Sequence, residues 1–408
     1  MYPEDVEYEP VSVKAVLAEM KDTAELLIDL SYSAVLLGND EIAQEVLALE
    51  ERMDILQLQA RMSLLMAARS PEDAEELAPV LGVVGAAEKI SNAAGDIAKI
   101  VIEDIGLPEA IRSALPEATE IIVRVPVGVD SPYDDRSLGA INMETETGVR
   151  VIAIRREQAT GKRRWITNPD RESVLQSGDI LLLRGPETGL SEVYERASGT
   201  PYQALEAPEA PIDDLERAVD SIVLMKNMSE LAVDLAYGAV LFDSEGVAEE
   251  VAELEAEVDA LKSRFEAWTL RAAARVDDPI ALRGLMHLAV STEVISDAAL
   301  EISEGVLHGL AAHPVVAAAV KESDEVIVRL TLVPGGDLAG TTIGDQMVQT
   351  ETGMRIIAVR RSGATGDWVV QPGPETELRG GDVIIAKGTR AGAVRLGERA
   401  GDRPDVGE

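Results

Sequence analysis

The chain contains no cysteine, which excludes disulfides, thiolate metal sites and cysteine nucleophiles. Its histidines, His287, His308 and His313, all lie late in the sequence. No GxSxG, P-loop or HExxH pattern occurs, so no enzyme is expected. Aromatic residues make up 3% of the 408 positions, so Ala, Leu, Val and Ile must fill the cores. Bases are scarce: 37 Lys and Arg face 74 Asp and Glu, for a formal net charge of −37. Nothing basic or aromatic clusters to meet phosphates and bases, so nucleic acid is not an expected partner. An acid excess of this size repels itself in dilute buffer but stays hydrated in concentrated salt. It suits a halophile's cytoplasm; the rival reading is an acidic protein that seeks basic partners. No stretch reaches ~18 uncharged apolar residues, the length a membrane span needs. The start, MYPEDVEYEP, shows neither the basic region nor the apolar run of a signal peptide. A cytoplasmic, soluble protein is expected, with any membrane role coming through a partner.

What the chain does have is an internal repeat. A constant shift of 205 residues, Glu25 to Glu230, aligns it with itself. ELLIDLSYSAVLL meets ELAVDLAYGAVLF, and TETGVRVIAIRR from Thr145 meets TETGMRIIAVRR from Thr350. The offset holds without a gap from Glu25 to Arg156. Two residues then drop out, and Trp165, Pro169, Gly178-Asp179 and Gly185 meet Trp368, Pro372, Gly381-Asp382 and Gly388. A single offset over that length indicates duplication and fusion.

Apolar residues recur at helical spacing in Val16, Met20, Leu27, Leu30 and Ala34. Gly38-Asn39-Asp40 and Ser70-Pro71-Glu72-Asp73 break the pattern, each with a capping residue. Residues 11–107 thus read as an antiparallel three-helix bundle, and 212–309 repeat it with breaks near Asp243-Ser244 and Asp277-Asp278-Pro279. Residues 116–198 and 320–401 change period. In the first copy strands are expected near 119–125, 148–155, 163–166 and 179–183, with a short helix over 137–146. The proline-rich stretch 199–211 is the expected linker. The fold class is therefore α+β and multidomain.

Acids four apart share a helix face. Such pairs are Glu25 and Asp29, Glu50 and Asp54, then Glu88 with Asn92. The second copy has Glu230 and Asp234, Glu255 and Asp259, Glu293 and Asp297. Three such helices could present several oxygen ligands to a hard cation, or to an iron or zinc cluster. Solvated or salt-bridged acids are the other reading. The pairs, Glu50-Glu51-Arg52-Met53-Asp54 and Glu293-Val294-Ile295-Ser296-Asp297 the clearest, resemble those of the PhoU domain. In that family some members bind iron or zinc clusters through them. The resemblance implies Glu25, Asp29, Glu50, Asp54 and Glu88 as metal ligands, with Glu230, Asp234, Glu255, Asp259, Glu293 and Asp297 in the second copy. Asn92 departs from the pattern.

Ser137-Leu138-Gly139, the strand ending in Arg155-Arg156, Pro169 and Gly178-Asp179 through Gly185 form a second pattern. Thr342-Ile343-Gly344, Arg360-Arg361, Pro372 and Gly381-Asp382 through Gly388 repeat it. It resembles the TrkA C-terminal (RCK-C) domain, which caps regulatory subunits of potassium channels and transporters. Family members dimerise, and several bind cyclic di-AMP between paired domains. The resemblance offers Arg150, Arg155 and Pro169, with Arg355, Arg360 and Pro372, as ligand-binding residues. Arg155 and Arg360 could instead simply end strands and pair with the abundant acids. No strand–GxGxxG–helix is present, so no nucleotide-binding Rossmann half is expected.

The combination, in duplicate, resembles archaeal proteins of this arrangement. It implies a homodimeric cytosolic regulator of potassium or other cation transport. Such a protein would sense a ligand such as cyclic di-AMP and work on a membrane transporter or channel subunit. The alternatives are a PhoU-like phosphate-signalling adaptor and a carboxylate-cluster metal-binding protein.

Overall fold

A computed structural model describes residues 12–108, 121–143, 147, 149–157, 163–167, 169, 171–185, 187–203, 212–308, 314–322, 326–362, 368–370 and 372–402. The first bundle is α1 (Val13–Leu37), α2 (Asp40–Ala67) and α3 (Pro71–Ile102). Its breaks are the ones the sequence marks. Gly38 takes the left-handed conformation that ends α1, and the Asn39 side chain accepts the N–H groups of Glu41 and Ile42 at the start of α2. Ser70 caps α3, with Pro71 in the first turn, where its missing N–H costs nothing. Val16, Met20, Leu27, Leu30 and Ala34 are all buried.

After the first bundle come β1 (Ile121–Pro126), β2 (Arg136–Ser137), α4 (Leu138–Ile141), β3 (Arg150–Glu157), β4 (Arg163–Thr167), β5 (Val174–Leu175), β6 (Ile180–Gly185) and α5 (Glu187–Ser198). The second bundle is α6 (Asp213–Phe242), α7 (Glu245–Ala273), a 3-10 turn (Pro279–Leu282) and α8 (Arg283–Leu307). It is followed by α9 (Pro314–Glu322), β7 (Val326–Thr331), β8 (Thr341–Thr342), α10 (Val348–Thr352), β9 (Met354–Arg360), β10 (Trp368–Val370), β11 (Glu377–Leu378), β12 (Val383–Gly388) and α11 (Arg390–Ala400).

Each copy carries a four-stranded antiparallel sheet of one order, β1-β6-β3-β4 and β7-β12-β9-β10. The short pairs β2–β5 and β8–β11, and the helices α5, α9 and α11, carry too little pattern to be anticipated. The helix expected over 137–146 spans only Leu138–Ile141, and residues 144–146 lie outside the described ones. The expected linker is described only as far as Gln203 and again from Ile212. His313 and the first eleven residues also lie outside.

The sheets are covered on both faces. Val123, Val125, Val151 and Leu183 pack with Leu190 and Val193 of α5. Ile122, Ile152 and Leu182 join the core of the bundles instead, as do Ile327, Ile357 and Ile385 of the second sheet. Period-2 alternation is what assigns the two sets. In both copies a Gly-Asp pair secures the turn before the last strand. Gly178 and Gly381 have φ of 89° and 90°, a conformation that favours glycine. The aspartates that follow grip arginines: Asp179 holds Arg156 with two bonds of 2.6 and 2.7 Å, and Asp382 holds Arg361 at 2.7 Å.

The two copies pair with one another inside the chain. Lys21 on α1 lies 5.5 Å from the ring centre of Tyr237 on α6, and Lys226 on α6 lies 5.9 Å from that of Tyr32 on α1. These are the same contact with the copies exchanged, the signature of a two-fold relation. Helix α3 packs along α8, and the Tyr32 hydroxyl donates to Thr292 Oγ1 at 2.6 Å. At one end the Gly284 N–H donates to the Gly106 carbonyl at 2.7 Å; a Cβ on Gly284 would meet that oxygen at 2.4 Å.

Candidate functional site

The face of each sheet that meets the bundles carries bases among its apolar residues. In the first sheet Arg124 alternates with Ile122, Arg184 alternates with Leu182, Arg150 stands opposite Arg184, and Arg155 reaches the same bundle. Their counterparts are Arg329, Lys387, Arg355 and Arg360. The four arginines offered as ligand-binding residues therefore belong to a sheet–bundle junction. Pro169 and Pro372 lie just beyond β4 and β10, partly buried.

Acids of the first helices meet these bases. Arg184 Nη1 bonds Asp29 at 2.9 Å, while Lys387 Nζ bonds Asp234 at 2.5 Å and reaches Glu25 of the other copy at 3.2 Å. Arg355 adds a contact to Asp234 at 3.1 Å. Within the helices Lys21 pairs with Glu25 at 2.8 Å and Lys226 with Glu230 at 2.7 Å. One network thus ties both bundles to both sheets. Burial pushes the Asp29 carboxyl up to about 6, against Arg184 and with Glu230 adding to the rise. Burial likewise holds Asp234 above its usual value despite Lys387. Burial would raise Glu230 too, but Lys226, Arg355 and Arg184 outweigh it and hold it below.

The metal-ligand residues expected from the sequence do not share one surface. Glu25, Asp29, Glu230 and Asp234 sit in the junction, where bases balance them. Glu88 pairs with Arg61 at 3.0 Å, and Glu293 pairs with Lys262. Among the described residues one group brings carboxylates together: oxygens of Glu255, Asp259 and Asp297 all lie within 4.8 Å of one another. Burial raises Glu255 and Asp297 above the ordinary carboxylate range, and their acidic neighbours raise them further. Three oxygen donors from two helices fit a hard divalent cation. The equivalent place in the first bundle is furnished differently. Asn92 replaces Asp297, Glu50 lies over Gly95, and Lys99 bonds Asp96 at 2.9 Å beside Glu50. The counterparts of Arg61 and Lys99 are Glu266 and Glu304, so the first bundle carries built-in cations where the second has acids.

Sequence reasoning missed Arg184, Lys387, Lys21, Lys226, Tyr32 and Tyr237. The last four had a signal: both copies keep them at one offset inside an apolar stripe. His287 stands on α8, and His308 at its end lies 3.6 Å from Glu304. No helix among the described residues is long and apolar enough to cross a membrane.

The TrkA-C domain model matches residues 122–198 and 327–400, and the PhoU domain model matches 17–101 and 222–306. No curated protein matches the chain. Among solved structures, the RCK_C domain dimer of S. agalactiae BusR in complex with c-di-AMP is similar at 23% identity. That match covers 19% of this chain and 94% of that one, with a TM-score of 0.18. BusR in complex with its busAB-promotor DNA is similar at 24% identity and a TM-score of 0.17. There the match spans 19% of this chain and only 36% of that one. PhoU from Pseudomonas aeruginosa is similar at 13% identity over 73% of this chain and 96% of that one, with a TM-score of 0.42. The chain is built of two PhoU domains and two TrkA-C domains in alternating tandem.

Proposed function

We propose that the protein regulates potassium or other cation transport from the cytoplasmic side, its TrkA-C domains sensing a small ligand and its PhoU bundles relaying the response to a membrane transporter. The observation that carries this reading is the buried ionic junction between sheets and bundles. A ligand that draws on Arg355 or Lys387 competes with Asp234 and Glu25 for the same charges. It therefore binds docked and loosened arrangements unequally, which is the condition for a switch. Cyclic di-AMP is the first ligand to try. A saturable heat at micromolar concentration supports the reading, and its absence from the full-length protein counts against cyclic di-AMP as the ligand. Capture of partners from the native membrane separates a cation transporter from a phosphate transporter, the partner a phosphate-signalling adaptor would bring down.

A second reading has its own observation. Glu255, Asp259 and Asp297 would hold a divalent or iron or zinc ion in the second bundle, where the ion would neutralise three acids that now repel one another. Metal analysis of the purified protein tests it.

A further inference from the structure

The two sheets do not dock alike. In the first copy the start of α2 clamps the sheet. Glu41 takes Arg124 at 2.7 Å, and Glu45 takes Arg155 at 2.5 Å and Arg124 Nε at 3.5 Å. Glu45 is 1% exposed, and its Oε1 is the atom both arginines reach. The second copy lacks the clamp. Glycine, Gly246, stands at the place of Glu41, and the counterpart of Glu45 is Glu250, which is partly exposed. Arg329 and Arg360, the counterparts of Arg124 and Arg155, are exposed, and among the described residues no hydrogen bond or ion pair holds either side chain.

The surroundings of these arginines suit an anion. Arg360 is paired across the strands with Trp368. A Cβ on Gly246 would lie 3.6 Å from the Trp368 Nε1, so the arginine stands close to the start of α7. That helix has 29 residues, and its N-cap, Ser244, makes no side-chain bond to the first turn, whereas Asn39 closes the equivalent turn of α2. A guanidinium group near a helix start that lacks a side-chain cap, with Arg329 on the same face of the sheet, is complementary to phosphate oxygens.

We propose that the second TrkA-C domain binds a small phosphate-bearing ligand through Arg329 and Arg360, and that Glu41 and Glu45 close the first domain to it by occupying the equivalent arginines. This rests on the ligand-sensing reading above and adds that one of the two copies does the sensing. The bundle's own carboxylates stand in the first copy where the ligand's anionic groups stand in the second.

Calorimetry on the full chain at fixed salt decides it, with cyclic di-AMP as one probe and inorganic pyrophosphate as the other. The expected result is one site per chain. R329Q/R360Q should weaken it at least about tenfold, the loss of two charge-assisted contacts. E41G/E45Q should raise the stoichiometry to two. If E41G/E45Q does not fold, E41G alone, at an exposed position, must still produce a weaker second site. A stoichiometry that stays at one overturns the masking. Two equal sites in the unmodified protein, or binding unaffected by R329Q/R360Q, overturns the proposal. If cyclic di-AMP is silent while pyrophosphate behaves as expected, the dinucleotide reading fails and this site stands. If both probes are silent, the site is refuted.

Discussion

Asp29, partly buried, and Asp382, fully buried, are both held by basic side chains, yet burial and partners balance oppositely in the two. Asp382 accepts backbone N–H groups from Ser362 and Arg379 as well as the Arg361 guanidinium, and these outweigh burial and hold its carboxyl below the usual range. Its contribution to stability is present above the unfolded carboxyl pKa and is lost as pH falls through the lower folded value. Asp382→Ala leaves two backbone N–H groups unpaired and Arg361 with only the Glu377 carbonyl. It should cost about 3–5 kcal/mol in denaturant unfolding, the range for breaking a buried pair. Asp29 has the opposite sign. Its folded pKa of about 6 lies above the ordinary 3.8, so its contribution to stability is complete below about 3.8 and is lost as pH rises through about 6. Thermal melts should therefore show the unmodified protein gaining stability relative to Asp29→Asn as pH falls from 7 toward 4. A constant gap across that range would place Asp29 in a more solvated setting than the junction.

At the scale of single elements, α8 and α3 differ more in charge than in shape. Lys262, the cation nearest the carboxylates of Glu255, Asp259 and Asp297, is paired with Glu293, and its pull on Asp297 is outweighed by burial and the surrounding acids. A divalent ion that binds the folded state alone raises stability by mass action, about 2.7 kcal/mol at a hundredfold excess over Kd. Manganese or zinc should raise the melting temperature, chelator should reverse the rise, and Asp297→Asn should abolish it. Asn92→Asp in the first bundle should not create a second response, because Lys99 already answers the added charge. A metal-induced shift that survives Asp297→Asn would move the site elsewhere. The elements themselves were legible in the sequence because their ends are local chemistry: Asn39, Ser70 and Pro71 bond or shape backbone within a few residues. The division of the acids was not. Asp29 meets Arg184 and Asp234 meets Lys387 across more than a hundred residues, and only the docking of sheet on bundle brings them together. Spacing along one helix shows which acids share a face and says nothing of what that face meets.

The whole molecule places one copy against the other about a two-fold relation within a single polypeptide. What joins them is mostly buried: the two lysine–tyrosine pairs, Tyr32 against Thr292, the Gly284–Gly106 approach, and the shared apolar core that runs through both bundles. Lys89 of α3 pairs with Glu301 of α8 at the rim. An interface of this kind does not need a covalent link once formed, because burial of apolar surface rather than the tether supplies the attraction. The tether contributes chiefly effective concentration. A protease site inserted between Gln203 and Ile212 should therefore be cut without separating the halves. Light scattering after cleavage should still report the mass of the intact chain. Gly284→Leu drives a side chain into the Gly106 carbonyl and should let the cut halves part, while the uncut variant stays one particle because its halves cannot diffuse away. Separation of the unmodified halves on cleavage would mean that the copies are held by the linker and that the two-fold pairing is weak. In that case Lys387 would lose Glu25 on separation but keep Asp234. Each sheet would then answer to its own bundle alone, and no signal from the second TrkA-C domain could reach the first PhoU domain through the buried charges.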